Sequence, residues 1–206
     1  MAPGDDGKVY DAPMIGVTVG LSRSGTSGGL IYFEVAETDP FNANSSKNSL
    51  VITAGGGMLD TLATDSIIIA RCAAKKIMRE QQNSYLDRAN LHLNIVSTDG
   101  SSKAGPSGGL AEGIAFVSMA TKKKPIANLA MTGHLTLNGA VLPIGSIKQR
   151  VIAAKEAKMT NLMVPIGNKK EFDELKLDEV TRNGMHVQFV ATFADAIRYC
   201  FSVIIM

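Results

Sequence analysis

The chain has 206 residues, of which 45% are hydrophobic and 19% are charged. That length suits one sizeable domain or two small ones, and the apolar content is sufficient for a buried core. The formal net charge of +2 is too small to indicate a nucleic-acid partner or an anionic membrane surface. No apolar run reaches transmembrane length, so we expect neither nucleic-acid nor membrane partners.

The two cysteines, Cys72 and Cys200, lie far apart and show no metal-binding or CxxC spacing. This usage is typical of a reducing compartment, or of indifference to redox conditions. The first residues are polar and do not resemble a signal peptide, and we interpret residues 1–8 as a flexible segment. The expected location is intracellular, either cytoplasmic or in an organellar matrix.

Short β-type runs alternate with helical periodicity along the chain. In chain order, the predicted strands are 15–21, 30–35, 49–54, 91–96, 127–132, 134–137, 141–144, 162–165 and 187–190. The predicted helices are 58–82, 110–120, 146–158, 169–175 and a last one capped by Thr192. Asn138-Gly139 is a strong hairpin signal. No linker divides these elements convincingly, so we predict one mixed α/β or α+β domain over residues 1–206.

A serine precedes the helix predicted at 110–120, within the segment KAGPSGGL that begins at Lys103. Gly105 permits backbone conformations closed to other residues, Pro106 fixes its own φ, and Gly108 keeps side chains clear of Ser107. The helix N-terminus adds unpaired N–H groups and partial positive charge. These features suit a nucleophilic serine beside an oxyanion hole. The alternative is a serine that only caps a helix, and this segment alone favours that alternative.

The helix after Ser107 is apolar on nearly every side, with Leu110, Ile114 and Val117 on one face. A helix of this composition should be buried. We place its one acidic residue, Glu112, at the edge nearest to solvent.

A serine nucleophile needs a group that accepts its proton. Of the three histidines, His92 falls within a predicted strand and His186 begins another, whereas His134 remains a candidate. Lys148 lies in the first turn of the helix predicted at 146–158, where a positive charge opposes the helix dipole. Burial disfavours the charged form of a lysine, which makes Lys148 a candidate base. The alternative is a surface lysine with its stem along apolar residues, which spacing alone favours.

The run MTGHLTLNGAVLPIGSIK, from Met131 to Lys148, resembles the signature M-T-G-E-[IL]-T-L-x-G-x-V-L-P-[IV]-G-G-[IL]-K of the Lon proteolytic domain. The segment around Ser107 is similar to that family's K-D-G-P-S-A-G box. Looser similarity extends over most of the chain, from about residue 9 to residue 196. The resemblance implies the α+β fold of that domain, with mixed β-sheets packed with helices.

The resemblance also implies a serine endopeptidase with a Ser-Lys dyad. Ser107 would be the nucleophile, Lys148 the general base, and Thr132 a hydrogen-bond partner that orients the lysine. The residues that would support the turn are Gly105, Pro106 and Gly108. Substrates would be unfolded or extended polypeptides, and no metal or cofactor is implied within this chain.

The family resemblance further implies partners of this domain in the complete protease. ATP would act only through an AAA+ ATPase domain, because this chain has no Walker A motif. Family members often form hexameric rings, so a homo-oligomer is an expected partner. The chain is then either the peptidase part of an ATP-dependent protease or a member of an ATPase-free branch.

Several positions depart from the family pattern. Ala104 stands where the family has aspartate, His134 where it has glutamate, and Ser146 where it has glycine, and the loop 97–102 lacks the usual Pro-Glu-Gly. The departures leave open a catalytically silent domain that serves assembly or binding. An ATPase-free polyprotein protease of the birnavirus type is another alternative. Small-molecule kinases of similar fold are disfavoured, because their longer Gly- and Ser-rich ATP-binding loop is absent.

Overall fold

The computed structural model describes residues 8–24, 27–38, 48–55, 59–98, 105–175 and 184–201. Its strands are β1 (Val17–Ser24), β2 (Ser27–Glu37), β3 (Leu50–Gly55), β4 (Leu91–Ser97), β5 (Leu129–Met131), β6 (His134–Leu135), β7 (Val141–Leu142), β8 (Asn161–Pro165) and β9 (His186–Val190). Its α-helices are α1 (Thr61–Glu80), α2 (Tyr85–Arg88), α3 (Gly109–Thr121), α4 (Ile147–Glu156), α5 (Lys169–Glu174) and α6 (Phe193–Phe201). Short 3-10 turns occupy Pro106–Gly108 and Ile166–Asn168.

Seven strands form one mixed sheet in the order β3-β4-β2-β1-β5-β8-β9. The β1–β2 and β2–β4 pairs are antiparallel, and the other four pairs are parallel. Strands β6 and β7 form a separate antiparallel hairpin whose turn ends at Gly139, with φ +81°. Such a φ favours glycine, which confirms the hairpin predicted from Asn138-Gly139.

Alternation along the strands divides the core into two clusters, one on each face of the sheet. On β2, Phe33 and Val35 join a cluster with α1, α3 and α6, whereas Leu30 and Tyr32 join a second cluster with α4. Period-two alternation makes this division possible, because successive side chains point to opposite faces. The predicted α+β architecture, a mixed sheet packed with helices, is confirmed.

Helix α3 lies at the centre of the first cluster. Every residue from Gly109 to Ala120 is buried, as its apolar surface predicts. The burial includes Glu112, which is 3% exposed. The predicted position of Glu112 at a solvent edge is therefore wrong, because both sides of this helix are covered by packed elements.

Capping residues set several helix ends. Asp60 Oδ1 accepts a hydrogen bond from Ala63 N at 2.8 Å, and α1 accordingly begins after Asp60. Thr192 caps α6 as predicted: its Oγ1 accepts from Asp195 N at 3.1 Å, while Thr192 N donates to Asp195 Oδ2 at 3.2 Å. Ser146 precedes α4 with φ +61°, and its hydroxyl makes no capping bond.

Some predicted features lie at the margins of the described chain. Of the segment interpreted as flexible, only Lys8 is described, and its Nζ donates to Asn128 Oδ1 at 3.0 Å. Ala104 and residues 99–102 of the polar loop lie outside the described residues. In the described part of the chain, no helix combines the length and the apolar character needed to cross a bilayer.

Candidate active site

Ser107 lies in the 3-10 turn Pro106–Gly108, which runs directly into α3. Gly105 begins this turn at φ +89°, a conformation that residues with a side chain rarely adopt. A Cβ on Gly108 would lie 2.8 Å from the Phe33 ring and 2.9 Å from Glu112 Oε1. Both glycines are thus required by local geometry, and the turn leaves Ser107 half-buried at the edge of a cleft.

The backbone of Ser107 is held by the corner between β5 and β6. Its carbonyl oxygen accepts from Gly133 N at 2.9 Å and from Thr132 Oγ1 at 3.2 Å. Leu110 N in turn donates to Gly133 O at 3.0 Å. Thr132 therefore fixes the serine's carbonyl, and the structure gives its hydroxyl this role instead of contact with a lysine.

The side chain that meets the Ser107 hydroxyl is Arg150, from α4. Arg150 Nη2 donates to Ser107 Oγ at 3.2 Å. Its Nε donates to Gly145 O at 3.3 Å, and its Nη1 donates to Leu21 O. Arg150 is only 7% exposed, so these bonds hold a buried guanidinium against the serine.

Lys148 does not take part in this arrangement. It is exposed, and it is not among the described residues that line the two pockets shared by Ser107 and Arg150. Positions 148 and 150 are about 200° apart around a helix, so only one of them can face the serine. The predicted pairing of Ser107 with Lys148 is thus replaced in the structure by a pairing of Ser107 with Arg150.

Burial periodicity was the sequence signal that could have identified Arg150. Ile147, Val151 and Ala154 form an apolar stripe along the predicted helix, and position 150 falls on the same stripe, with spacings of three and four. All four residues are buried in the structure. A charged residue on the buried, otherwise apolar stripe of a helix is a stronger signal of function than a charged residue outside that stripe.

A close approach between α4 and β2 brings Arg150 within reach. A Cβ on Gly28 would lie 2.5 Å from Gln149 O and 2.9 Å from the Ala153 methyl group. No larger residue at position 28 would let the helix lie so near the sheet. Gly28, which lies within β2, therefore helps to position the active-site cleft.

The sequence over residues 5–202 matches the family described as Lon protease (S16) C-terminal proteolytic domain. The chain belongs to the Lon proteolytic-domain family. Members of this family are serine peptidases.

Relatives of the chain include mitochondrial Lon protease homologues. Lon protease homolog 1 of Arabidopsis thaliana is 34% identical over 196 residues, which is 94% of this chain and 20% of that protein. The Drosophila melanogaster homologue is 34% identical over 205 residues, or 95% of this chain and 19% of its own length. The Rattus norvegicus homologue is 33% identical over 199 residues, or 94% and 20%. The chain thus spans about a fifth of the length of these relatives, and these matches do not favour the birnavirus-type alternative.

The charge of the group beside Ser107 in this Lon domain differs from that of a neutral amine. Burial, with a smaller contribution from the charge on Arg23, lowers the pKa of Arg150 to about 10. At neutral pH about one guanidine in a thousand would be uncharged at that value. The Ser107 hydroxyl therefore faces a cation that donates a hydrogen bond, whereas a general base would accept one.

Glu112 is another ionisable group near the serine. It lines a pocket shared with Ser107 and Arg150. Burial raises the pKa of Glu112 to about 8, although a 2.8 Å hydrogen bond from Ser66 Oγ to Oε2 partly offsets this effect. The carboxyl is consequently protonated and neutral near pH 7. Sequence reasoning missed this group because it treated the acid as solvated.

The three histidines of this Lon domain differ in their position relative to the Ser107 cleft. His134 lines the cleft that holds Ser107. His92 Nε2 lies 2.7 Å from Thr53 Oγ1, and the His186 ring stacks on Tyr199, both remote from the cleft lining. Among the described residues, no group of three or more His, Cys, Asp or Glu side chains is arranged to hold a metal ion.

Proposed function

We propose that this chain is the proteolytic part of a Lon-type protease and that Ser107 attacks peptide bonds of extended polypeptides. The observation that carries the proposal is the position of Ser107. It lies in the turn that leads into a buried helix, its carbonyl is held by Thr132 and Gly133, and its hydroxyl faces a cleft next to Arg150. A nucleophile needs such fixed placement, because misalignment of the reacting atoms sharply lowers the rate.

The proposed reaction uses the charge of Arg150 and the backbone of the turn. Ser107 Oγ attacks the carbonyl carbon, and the C–N bond then breaks to leave an acyl-enzyme that water hydrolyses to the free acid. The positive guanidinium favours the alkoxide form of the hydroxyl. The Ser107 amide lies at the N-terminal end of the turn, where N–H groups can stabilise an oxyanion.

Proton transfer is expected to limit the rate in this arrangement. The Ser107 hydroxyl has to give its proton to water or to the rare neutral form of Arg150, and the leaving amine takes a proton from water or from the Arg150 guanidinium. General bases typically accelerate such steps by about 10²- to 10⁴-fold. We therefore propose a slow peptidase near neutral pH, with a rate that increases in alkaline solution.

A second candidate function is favoured by the same residue. A domain that binds peptides without cleaving them would also tolerate a charged arginine beside the serine. Arg150 is the specific observation behind this candidate, since a guanidinium is a poor proton acceptor.

Context for either function comes from the relatives' names. From membership of the Lon family we infer polypeptide substrates, an AAA+ ATPase module that acts with this domain, and a ring-shaped homo-oligomer. ATP would act only through that ATPase module. Because the named relatives are called mitochondrial, we propose a matrix-type organellar location. The proposed chemistry uses Ser107 and Arg150 and assigns no metal or cofactor to this chain.

The test combines cleavage and active-site labelling. Casein digestion should be followed from pH 6 to pH 10 with the wild-type chain and with Ser107→Ala. In parallel, a fluorophosphonate probe should label Ser107, as located by mass spectrometry. Slow cleavage that is lost in Ser107→Ala would support the peptidase. Cleavage that persists in Ser107→Ala would exclude Ser107 as the nucleophile, and an intact substrate with an unlabelled serine would favour the binding domain.

A further inference from the structure

Arg150 is a buried cation without an acidic partner in the part of the chain that the structure describes. It is 7% exposed, and within the described residues its hydrogen bonds reach neutral oxygens, those of Leu21, Gly145 and Ser107. A guanidinium has five N–H groups, so two remain without an acceptor in that part of the chain. A buried charge of this kind is unfavourable unless an anion joins it.

The surroundings of Arg150 are also positive. Arg23 lines the same cleft, where it donates to Ser146 Oγ at 2.9 Å, and its charge contributes to lowering the pKa of Arg150. No Asp or Glu is found among the described residues that line this cleft of about 380 Å³. Glu112 lines the adjoining pocket, but burial raises its pKa to about 8 and keeps it neutral at pH 7.

We propose that this cleft is a carboxylate-binding subsite, in which Arg150 holds a carboxylate group of a bound polypeptide next to Ser107. A carboxylate matches the planar donor array of a guanidinium and can accept two parallel hydrogen bonds. The two N–H groups left over on Arg150 supply the donors, and Arg23 adds attraction at longer range.

Two sources could supply this carboxylate: the C-terminus of a peptide, or an internal Asp or Glu side chain. Under the proposed function, hydrolysis at Ser107 creates a new C-terminal carboxylate at this location. Only this identification of the source rests on the proposed function. Retention of the cleaved peptide, and hence inhibition by product, is the consequence.

Fluorescence anisotropy of labelled peptides tests the subsite at pH 7. Three peptides are compared: two of identical sequence that end in a free acid or in an amide, and a third that ends in the amide and has one internal residue replaced by glutamate. The free acid should bind about ten-fold or more tightly than the plain amide, in line with a charge-assisted hydrogen bond. Tight binding of the internal-glutamate peptide would identify the side chain as the source.

Variants of α4 provide the controls. The difference in affinity between the free-acid peptide and the amide peptide should vanish in Arg150→Gln. It should persist in Lys148→Gln, which removes an exposed cation from the opposite side of the same helix. Equal affinity for all three peptides, or no binding of any peptide, would overturn the proposal, and so would a preference for the carboxylate-bearing peptide that is unchanged in Arg150→Gln. Loss of the difference in both variants would indicate only non-specific charge attraction, which also overturns it.

A measurement on the wild-type chain covers the case in which Arg150→Gln does not fold. The Arg150 Nε–H resonance of ¹⁵N-labelled protein should shift with N-acetylalanine and not with N-acetylalaninamide. Identical responses to the two probes would contradict the subsite. Absence of casein cleavage and of fluorophosphonate labelling would refute the peptidase alone, because neither binding measurement depends on catalysis.

Discussion

Lys148 and Arg150 lie two residues apart on α4 and point to opposite sides of the helix, and Arg150 is the one that contacts Ser107. The difference matters because both residues are cations within one short motif. A lysine amine can lose its proton under mild conditions, whereas a guanidinium rarely does. The chemistry expected of the serine thus depends on which of the two faces the cleft.

Replacement of Arg150 by lysine is expected to increase peptide hydrolysis near pH 8 by about ten-fold or more. The environment that lowers the arginine's pKa would act on an amine of lower intrinsic pKa, so a larger neutral fraction could accept the Ser107 proton. Initial rates on casein measure the effect. Lys148→Met is the matched control and should leave the rate unchanged. A slower Arg150→Lys, or an inactive Lys148→Met, would contradict the assignment.

The wild-type rate should increase with pH and level off near pH 10. Because the pKa of Arg150 is lowered to about 10, the neutral fraction grows about ten-fold per pH unit below that value. Single-turnover rates between pH 7 and pH 10.5 test this dependence, with Arg150→Gln as the comparison. A rate independent of pH over this range would show that Arg150 does not govern proton transfer.

Glu112 should make the fold less stable as pH increases. Its pKa is raised from 4.5 to about 8, so the folded state retains a proton that the unfolded state has lost. Its favourable contribution is complete below about pH 4.5 and is lost as pH rises through 8, with an upper limit of about 5 kcal/mol. Urea unfolding at pH 5, 7 and 9 measures this loss.

In Glu112→Gln the pH dependence of unfolding should become shallower over the same interval. Glu156→Gln, which changes an exposed acid on α4, should behave like the wild type. A wild-type free energy of unfolding that stays constant between pH 5 and pH 9 would be inconsistent with a buried, neutral carboxyl.

Gly28→Ala is expected to destabilise the fold by roughly 1–3 kcal/mol, because its methyl group would overlap the α4 backbone. The added Cβ would lie 2.5 Å from Gln149 O, and relief of the overlap would move Arg150 away from Ser107. Chemical denaturation gives the loss in stability. Gly145→Ala is the control, since a Cβ there would meet nothing within 4 Å. Equal stability of the two variants would refute the proposed close approach.

The two cysteines should differ strongly in reactivity. Cys72 is exposed on α1, whereas Cys200 is buried and burial raises the pKa of its thiol well above the ordinary value. Iodoacetamide at pH 8 should modify Cys72 in the native chain and Cys200 only after denaturation. Peptide mass spectrometry with and without urea distinguishes the sites, and rapid native labelling of Cys200 would argue against its burial.

Hydrophobic periodicity and turn residues were sufficient to predict most of the secondary-structure elements of the fold. Asn138-Gly139 predicted the β6–β7 hairpin, and the apolar surface of α3 predicted its burial. The helix Tyr85–Arg88 was missed because one turn carries too little periodicity, and its start depends on Asn83 Oδ1 accepting from Tyr85 N at 2.9 Å.

The site was predicted only in part. Ser107 stands out in the sequence because its glycines and proline leave a local signature, and its catalytic role stays a prediction. The side chain that lies against its hydroxyl was not predicted, because a motif gives the order of residues along a helix, whereas the face each occupies depends on packing against β2. The burial of Glu112 likewise depends on Ser66 of α1, which is distant in sequence.

The two halves of the cleft come from opposite faces of the sheet. Ser107 is fixed to α3 and the β5–β6 corner, whereas Arg150 belongs to the helix layer on the other side. Each layer has its own core, so a small sliding motion between them would alter the Ser107–Arg150 separation while both cores stay intact. The reactivity of the serine therefore depends on the relative position of the two helix layers, and a displacement of either layer would change that reactivity without any change in the residues of the cleft.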